Sequence, residues 1–222
     1  MNCTPRLMLR GLQLSYGGDA VLRGVDLTVT GGELVGLIGP NGSGKSSLLR
    51  ACTGTLECDG DLSLDGIDPR RDPVAARARL GYAVEPATLP AALRGRQCIE
   101  VIAGVRGVGT GEIAQAHAMC EALGLAPWLE REVGGYSLGT RQKLALVLAL
   151  LGTPPLLLLD EVLNGLDPLA AWQLKSILRA RADAGAAVIL ATHGLDVAER
   201  LLDRAVLLLD GRIAADWNRA EL

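Results

Sequence analysis

The chain contains no phenylalanine, and only three tryptophans and three tyrosines stand among its 222 residues. Proteins that bind single-stranded nucleic acid without sequence preference stack bases on aromatic side chains, so this scarcity argues against that class. There are only two histidines, and neither lies at metal-ligand spacing from the five cysteines, which form no CxxC pair. We therefore expect no zinc site, and we interpret the cysteines as reduced thiols that are mostly buried.

A large excess of charge of one sign and long apolar runs are also lacking. Lysine and arginine number 22 against 25 aspartates and glutamates, a formal net charge of −3, so no broad basic surface for nucleic acid is expected. Although 49% of the residues are hydrophobic, the longest candidate span, 144–159, is broken by glycine and proline. It is also shorter than the roughly 20 apolar residues that a bilayer requires. With no long apolar stretch at the N-terminus to act as a secretory signal, a cytoplasmic protein is expected.

The apolar residues that are present come in short runs. The runs at Leu34–Ile38, 156–159, 187–191 and 205–209 have the length of buried strands in a parallel sheet. A block of helical pattern from about 93 to 151 interrupts them. This order predicts an α/β fold with an open, mostly parallel sheet into which the helical block is inserted. Further strands are predicted at 7–14, 25–29, 62–64 and 80–84, and further helices at 46–53, 168–183 and 195–202.

A glycine-rich segment follows the first of these runs and opens a helical pattern. Glycines let backbone N–H groups curl around phosphate oxygens, and the helix N-terminus adds a favourable dipole. In the pattern G-x-x-x-x-G-K-[ST], the P-loop or Walker A motif, Lys45 reaches the β- and γ-phosphates and the Ser46 hydroxyl ligates Mg²⁺. The predicted nucleotide-binding residues are Gly39, Pro40, Asn41, Gly42, Ser43, Gly44, Lys45, Ser46 and Ser47.

The apolar run at 156–159 ends in two acidic residues, Asp160 and Glu161. P-loop proteins place an aspartate beside Mg²⁺ in this way, and an adjacent glutamate can polarise the attacking water. A strand that ends in acidic residues is weak evidence alone, but together with the P-loop it is strong. These two motifs do not distinguish a kinase, a GTPase and a transporter ATPase.

The segment that distinguishes these classes of protein contains Ser137 and leads into the last helix of the helical block. In it, Ser137, Gly139 and Gln142 match the signature sequence of ATP-binding cassette (ABC) ATPases in its Ser-x-Gly-x-x-Gln form, and the chain resembles that family. The commoner form of the signature has glycine where Leu138 stands. A serine hydroxyl and a glycine N–H at a helix N-terminus can bind a γ-phosphate, although a serine there is often only a helix cap.

The resemblance assigns further residues to the site. It implies that Tyr16 stacks on adenine, that Asp167 lies in the D-loop, and that His193 is the switch histidine at the end of a strand. The family's Q-loop glutamine corresponds to Glu85, which can also ligate Mg²⁺ or the attacking water. The predicted catalytic residues are Glu161, His193, Lys45 and Glu85, and the predicted metal ligands are Ser46, Asp160 and Glu85.

The resemblance also implies the architecture and the partners. The fold would be a P-loop NTPase (RecA-like) core with an antiparallel β-subdomain and a helical subdomain at about 86–150, all within one nucleotide-binding domain at 1–222. A second ATPase subunit is expected, in a homodimer, with ATP and Mg²⁺ bound between the two copies and each P-loop facing the other copy's Ser137 segment. The chain would lie on the inner face of the cell membrane and power export through a separate transmembrane permease subunit.

Three alternatives remain at this point: an ABC ATPase with a role other than transport, a P-loop kinase, and a non-catalytic regulatory subunit. The missing long insertion between Ser46 and Ser137 argues against the first, and the unexplained signature against the second. The presence of every expected catalytic group argues against the third. The apolar residues of 85–93, with the following 96–101, predict the surface that the permease contacts, where Leu93→Glu would weaken the association.

Overall fold

A computed structural model describes residues 5–193 and 201–222. The predicted helix at 195–202 falls largely on 194–200, which lie outside the described residues. The strands are β1 (Pro5–Tyr16), β2 (Asp19–Thr30), β3 (Leu34–Ile38), β4 (Asp59–Leu64), β5 (Leu80–Tyr82), β6 (Leu156–Asp160), β7 (Ala187–Thr192), β8 (Arg204–Leu209) and β9 (Arg212–Asn218). The helices are α1 (Lys45–Cys52), α2 (Pro73–Ala78), α3 (Gly95–Arg106), α4 (Thr110–Ala122), α5 (Leu138–Leu150) and α6 (Pro168–Asp183).

The chain divides into two compact units. The first unit comprises Met1–Leu80, Pro155–Glu161 and Leu178–Leu222, and the second unit comprises Gly81–Pro154 and Val162–Ile177. Each is described by itself below. The sheets lie mainly in the first unit, and α3, α4 and α5 lie in the second.

The larger sheet has the strand order β5-β6-β7-β3-β8-β9. Strands β3, β6 and β7 pair in parallel, and nearly all of their residues are buried, as their unbroken apolar runs predict. Strand β9, which the sequence analysis did not predict, pairs antiparallel to β8 after a turn at Asp210 and Gly211, both with positive φ. The predicted α/β fold with a mostly parallel sheet is confirmed.

A separate antiparallel sheet with the order β2-β1-β4 confirms the antiparallel β-subdomain. The two clusters of leucines at 7–14 belong to one strand, β1. Leu9 and Leu12 are both buried although they are three positions apart, because the register of β1 shifts between them around Gly11, which has a φ of 58°. One extra residue at a bulge restores the inward direction for the rest of the strand.

One buried carboxylate ties the turn after β4 to other parts of the first unit. The side chain of Asp65 is only 6% exposed and accepts hydrogen bonds from Arg6 and Arg79. Burial raises the pKa of Asp65, but the two arginine hydrogen bonds and charges outweigh burial, and the pKa lies below its ordinary value of 3.8. The carboxylate is therefore held in its ionised form.

The second unit has its own hydrophobic core, formed where the helices α3, α4 and α5 pack together. Every residue of α5 from 144 to 150 is buried, so this helix is the centre of the unit. The core residues are Leu89, Cys98, Ile99, Ala103, Ala116, Cys120, Leu123, Leu125, Leu129, Val133, Tyr136, Leu144, Ala145, Val147, Leu148, Leu151 and Ala170.

We expect Asp65→Asn to lower the free energy of unfolding by about 1–3 kcal/mol at pH 7, because both arginines lose a charged partner. Because the pKa of Asp65 is lower in the folded protein than in the unfolded chain, the ionised carboxylate stabilises the fold fully above the ordinary value of 3.8. This contribution is lost as the pH falls below 3.8 and through the folded pKa. Urea unfolding of the two proteins should therefore show a difference that shrinks in acid. Asp61→Asn, at an exposed position of β4, is the control. An equal effect of both substitutions would contradict the role of Asp65.

Candidate functional site

The glycine-rich loop between β3 and α1 has a backbone that only glycine accommodates at three places. Gly42 and Gly44 have φ values of 81° and 105°, in the left-handed region. A Cβ on Gly39 would lie 2.3 Å from the carbonyl oxygen of Leu208 and 2.7 Å from Ser43 Oγ. The loop is thus a tight turn that brings backbone N–H groups to the N-terminus of α1.

Lys45, the first residue of α1, lies inside this loop and is only 6% exposed. Its Nζ donates hydrogen bonds to the carbonyl oxygens of Gly39 at 2.7 Å and Pro40 at 3.1 Å. Glu161 Oε1 is 4.0 Å from the same Nζ. A buried ammonium group at the open end of a glycine loop is a fixed positive charge for an anion.

Asp160, at the end of β6, presents an oxygen that the described protein leaves without a hydrogen-bond partner. Ser46 donates to its carboxylate, while Oδ1 is buried and unpartnered within residues 5–193 and 201–222. Burial raises the pKa of Asp160, with a smaller contribution from the Glu161 charge, against the opposing effects of Ser46 and Lys45. Buried oxygens that lack a donor need a cation or a water.

The oxygen atoms of this cluster fit Mg²⁺. Hydroxyl and carboxylate oxygens are the ligands that Mg²⁺ prefers, and it is commonly held by one or two carboxylates together with substrate phosphates. Ser43 Oγ is a second buried oxygen without a partner in the described part of the chain. Those same residues contain no cluster of three or more His, Cys, Asp or Glu side chains that could hold a metal ion alone. Ser46 and Asp160 therefore suit an ion that phosphate oxygens also bind.

Glu161 and His193 meet at the carboxyl ends of the neighbouring parallel strands β6 and β7. His193 Nδ1 lies 3.0 Å from Glu161 Oε2 and 3.1 Å from Oε1. Glu161 has a φ of 51°, a conformation that is strained for a residue with a side chain, and its N–H donates to Ala191 O at 3.0 Å. Backbone strain and a histidine contact thus orient a carboxylate beside Lys45.

The first unit holds two more of the predicted residues. Tyr16 ends β1 and is 43% exposed, so its ring is accessible to a flat ligand. Ser47 lies on the first turn of α1, next to Ser46. The structure thus brings Lys45, Ser46, Asp160, Glu161 and His193 into one cluster, as the strand ends predict, while the nucleotide contacts of Tyr16 and Ser47 stay predictions.

In the second unit, Ser137 caps the N-terminus of α5. Its Oγ accepts a hydrogen bond from the Thr140 N–H at 3.2 Å and lies 2.8 Å from Thr140 Oγ1. Sequence analysis selected Gln142 as the third signature residue, but Thr140 is the residue that shares the first turn with Ser137. The signal that could have found it is the spacing of an N-cap serine and its third helical residue. The role of Gln142, one turn further along α5, stays a prediction.

Asp167 connects α5 to the start of α6. Its carboxylate accepts a hydrogen bond from the Ala170 N–H at 2.9 Å and another from Lys143 Nζ at 2.9 Å. The Ala170 hydrogen bond, followed by the Lys143 contact, lowers the pKa of Asp167. The backbones of Gly139 and Gly165 also approach closely, since a Cβ on Gly139 would lie 3.3 Å from Gly165 O. Lys143 was not selected from the sequence, and it fixes the signature helix against the D-loop segment.

Glu85 lies in the second unit, exposed, just before a short 3-10 turn at Pro86–Thr88. Its backbone carbonyl oxygen accepts hydrogen bonds from Thr88 N at 2.9 Å and Thr88 Oγ1 at 2.7 Å. The role of its carboxylate toward Mg²⁺ or water stays a prediction. Leu89 is 7% exposed and belongs to the core of this unit, and Leu93 packs against that core. Packing therefore explains the apolar character that the sequence analysis attributed to a contact surface.

The first unit combines a glycine loop around a buried lysine with a serine–aspartate pair and a second carboxylate. These features define a P-loop nucleotide-binding ATPase. A family model described as ABC transporter matches residues 22–164, and the chain belongs to this family. Within it, the chain is an ATP-binding cassette.

Known relatives extend the match over nearly the whole chain. The chain is 37% identical over 211 residues to the human "Phospholipid-transporting ATPase ABCA7", covering 93% of this chain but 10% of that protein. It is 33% identical over 226 residues to the "Daunorubicin/doxorubicin resistance ATP-binding protein DrrA" of Streptomyces peucetius, covering 100% of this chain and 68% of the relative. A solved "ATP binding subunit of ABC transporter" superimposes with a TM-score of 0.90 at 32% identity, over 96% of this chain and 89% of that one.

The predicted RecA-like ABC fold is thereby confirmed, as is nucleotide binding as a property of the family. Within the ranges that the structure describes, no helix is long and apolar enough to cross a membrane.

We expect Asp160→Asn to separate stability from metal-dependent binding. Removing an ionisable group whose buried oxygen lacks a partner should leave the melting temperature without nucleotide unchanged or raised. In the presence of Mg²⁺, the affinity for ATP should fall by about tenfold or more, because Asn is a weaker ligand than a carboxylate.

The two effects can be resolved by titrating ATP with Mg²⁺ and again with EDTA. In EDTA the variant and the parent should bind equally, so that only the parent gains affinity when Mg²⁺ is added. An equal gain for both proteins would remove Asp160 from the metal site.

Proposed function

We propose that this chain hydrolyses ATP to ADP and phosphate and that this reaction powers transport through a separate membrane subunit. Its two units would act as one nucleotide-binding domain, and two copies would pair head to tail, each ATP lying between one copy's Lys45 and the other's Ser137. The observation that carries the proposal is the cluster in which Glu161 lies 4.0 Å from Lys45 and 3.0 Å from His193.

Each group of the cluster has a distinct part in hydrolysis. Lys45 supplies a fixed positive charge for the phosphates, and no reorganisation is needed because the loop carbonyls already hold its ammonium group. Glu161 accepts a proton from the attacking water, and His193 holds the carboxylate in position. Mg²⁺, held by Ser46 and Asp160, would neutralise charge on the phosphate oxygens when bound.

The names of two relatives support a proposal on the direction of transport. One relative is described as a drug-resistance ATP-binding protein and another as a phospholipid-transporting ATPase. We propose export of a substrate that the membrane subunit selects, with this chain docked on the inner face of the membrane. A search for the membrane subunit by co-purification distinguishes this function from that of an ABC ATPase without a transport role.

We expect Glu161→Gln to bind ATP with an affinity within about twofold of the parent and to lose hydrolysis by about 100-fold or more, because an amide cannot act as a base. ATP should then hold the variant as a dimer, measured by gel filtration. Lys45→Ala is the matched variant: it should lose hydrolysis together with nucleotide affinity, since the phosphate charge loses its counter-charge. If Glu161→Gln still hydrolysed ATP, the base would lie elsewhere, with Glu85 the next candidate.

The exposed apolar residues of α3 provide a better test of the membrane contact than Leu93. Val101 is 52% exposed and Val105 is 79% exposed, and they lie one helical turn apart on the same face. We expect Val105→Glu to lower the amount of membrane subunit that co-purifies with the chain by about tenfold, because a charge would have to be desolvated at the contact. ATP affinity of the free chain should not change.

Val74→Glu is the control, since Val74 is 78% exposed but lies on α2 in the first unit. It should leave the association intact. Equal losses from Val74→Glu and Val105→Glu, or no loss from either, would remove α3 from the contact surface.

A further inference from the structure

The C-terminal end of helix α5 is bonded by a side chain from another helix of the second unit. After Leu150 the backbone becomes extended at Leu151, with φ −61° and ψ 133°, and Gly152 follows with a φ of 76°, so the chain turns away from the helix axis at this point. The last carbonyl groups of a helix have no partner within the helix and carry the negative end of its dipole. These carbonyls lie in the core of the second unit, where Leu148 and Leu151 are buried, so they need a donor.

Arg106, the last residue of α3, supplies that donor. Its Nη1 donates to the carbonyl oxygens of Leu148 at 3.0 Å, Ala149 at 3.3 Å and Leu151. Burial lowers the pKa of Arg106, but a guanidinium group remains charged in proteins. A desolvated cation at the negative end of a helix interacts more strongly than an exposed one.

A second contact fixes the same place. A Cβ on Gly152 would lie 2.4 Å from Val108 Cγ1 and 3.9 Å from Arg106 Cδ, so the segment that follows α5 packs closely on the segment that follows α3. Near the middle of α5, the Lys143–Asp167 ion pair ties the helix to the D-loop segment. Long polar side chains therefore hold α5 at its C-terminal end and near its middle within the second unit.

We propose that Arg106 is a positioning residue for the Ser137 segment, and this rests on the proposed function. Arg106 fixes one end of a helix that is about 20 Å long. Because a helix moves as a rigid body, a small shift or rotation at Leu150 is transmitted to Ser137 and Thr140. Under the proposed function Ser137 meets the nucleotide on a second copy, where misplacement by about 1 Å is costly. The role of Arg106 is thus exerted at the far end of α5.

The test uses Arg106→Met and Arg106→Lys, each introduced into the Glu161→Gln chain. The chain concentration at which ATP produces half of the dimer, measured by sedimentation velocity, should rise by about tenfold for Met and by less for Lys, which keeps one charged donor. ADP affinity of the monomer should stay within about twofold, because the phosphate site lies on other elements. Hydrogen exchange at the Thr140 and Arg141 amides, which bond to Ser137, should become faster.

Two control variants separate positioning from general destabilisation. Arg96→Met removes a charge from α3 at a side chain that pairs with Glu100 and Glu130, so it should change nothing. Ile99→Val removes a methyl group from a fully buried position of the same helix. It should lower the melting temperature without changing the dimerisation or the exchange of Thr140 and Arg141.

The outcomes are distinguishable. Normal dimerisation of Arg106→Met, or an equal defect in Ile99→Val for the same loss of melting temperature, would overturn the positioning role. If the Glu161→Gln parent itself formed no dimer with ATP, the proposed function would fail. Exchange at Thr140 and Arg141 would still decide whether Arg106 holds the Ser137 segment, with unchanged exchange overturning it.

Discussion

The burial of one positive charge, that of Lys45, is the constraint on which the first unit depends. An ammonium group that is nearly excluded from water requires oxygens around it, and the loop carbonyls of Gly39 and Pro40 supply them. The loop can turn so tightly only because glycine occupies its left-handed positions. Strands β3 and β6 also end at the same edge of the parallel sheet. The acidic residues at the end of β6 thereby lie beside the charge that an incoming phosphate would meet.

Two adjacent carboxylates at this edge are in different environments, and this difference suits different tasks. Asp160 is desolvated, bonded to Ser46 and left with one buried oxygen to satisfy, which suits a ligand of a hard cation. Glu161 is partly exposed and is oriented by His193 and by its own strained backbone, which suits a group that must contact water. Asp160 is the last residue of β6 and Glu161 follows with a φ of 51°, so the two environments are separated by the change of backbone conformation at the strand end.

Local sequence patterns were sufficient to predict the parallel strands, α6 and the cluster of Lys45, Asp160, Glu161 and His193. Apolar runs and the residues at strand ends are visible in consecutive positions of the sequence. Strand β9 was missed because its residues are at most half-buried and its alternation includes arginine and aspartate. Thr140 and Lys143 were missed for another reason: their partners are a helix cap and a carboxylate in a distant segment. The apolar residues Leu89 and Leu93 could not be assigned to surface or core until α3, α4 and α5 were packed together.

The polar contacts of the second unit share one effect: they define the position of α5 along its own axis. Helix α5 is buried along 144–150, so apolar packing holds it laterally, but apolar contacts are not directional and do not define its position along its own axis well. Ion pairs and charge-assisted hydrogen bonds are directional, and they occur at two places along α5: Lys143 pairs with Asp167 near the middle, and Arg106 bonds to three carbonyls at the C-terminal end. Burying the Arg106 guanidinium costs free energy that an apolar side chain would not require. That cost is understandable if the axial position of α5 matters more than the stability of the unit, as the role proposed for its N-terminus at a nucleotide on a second copy requires.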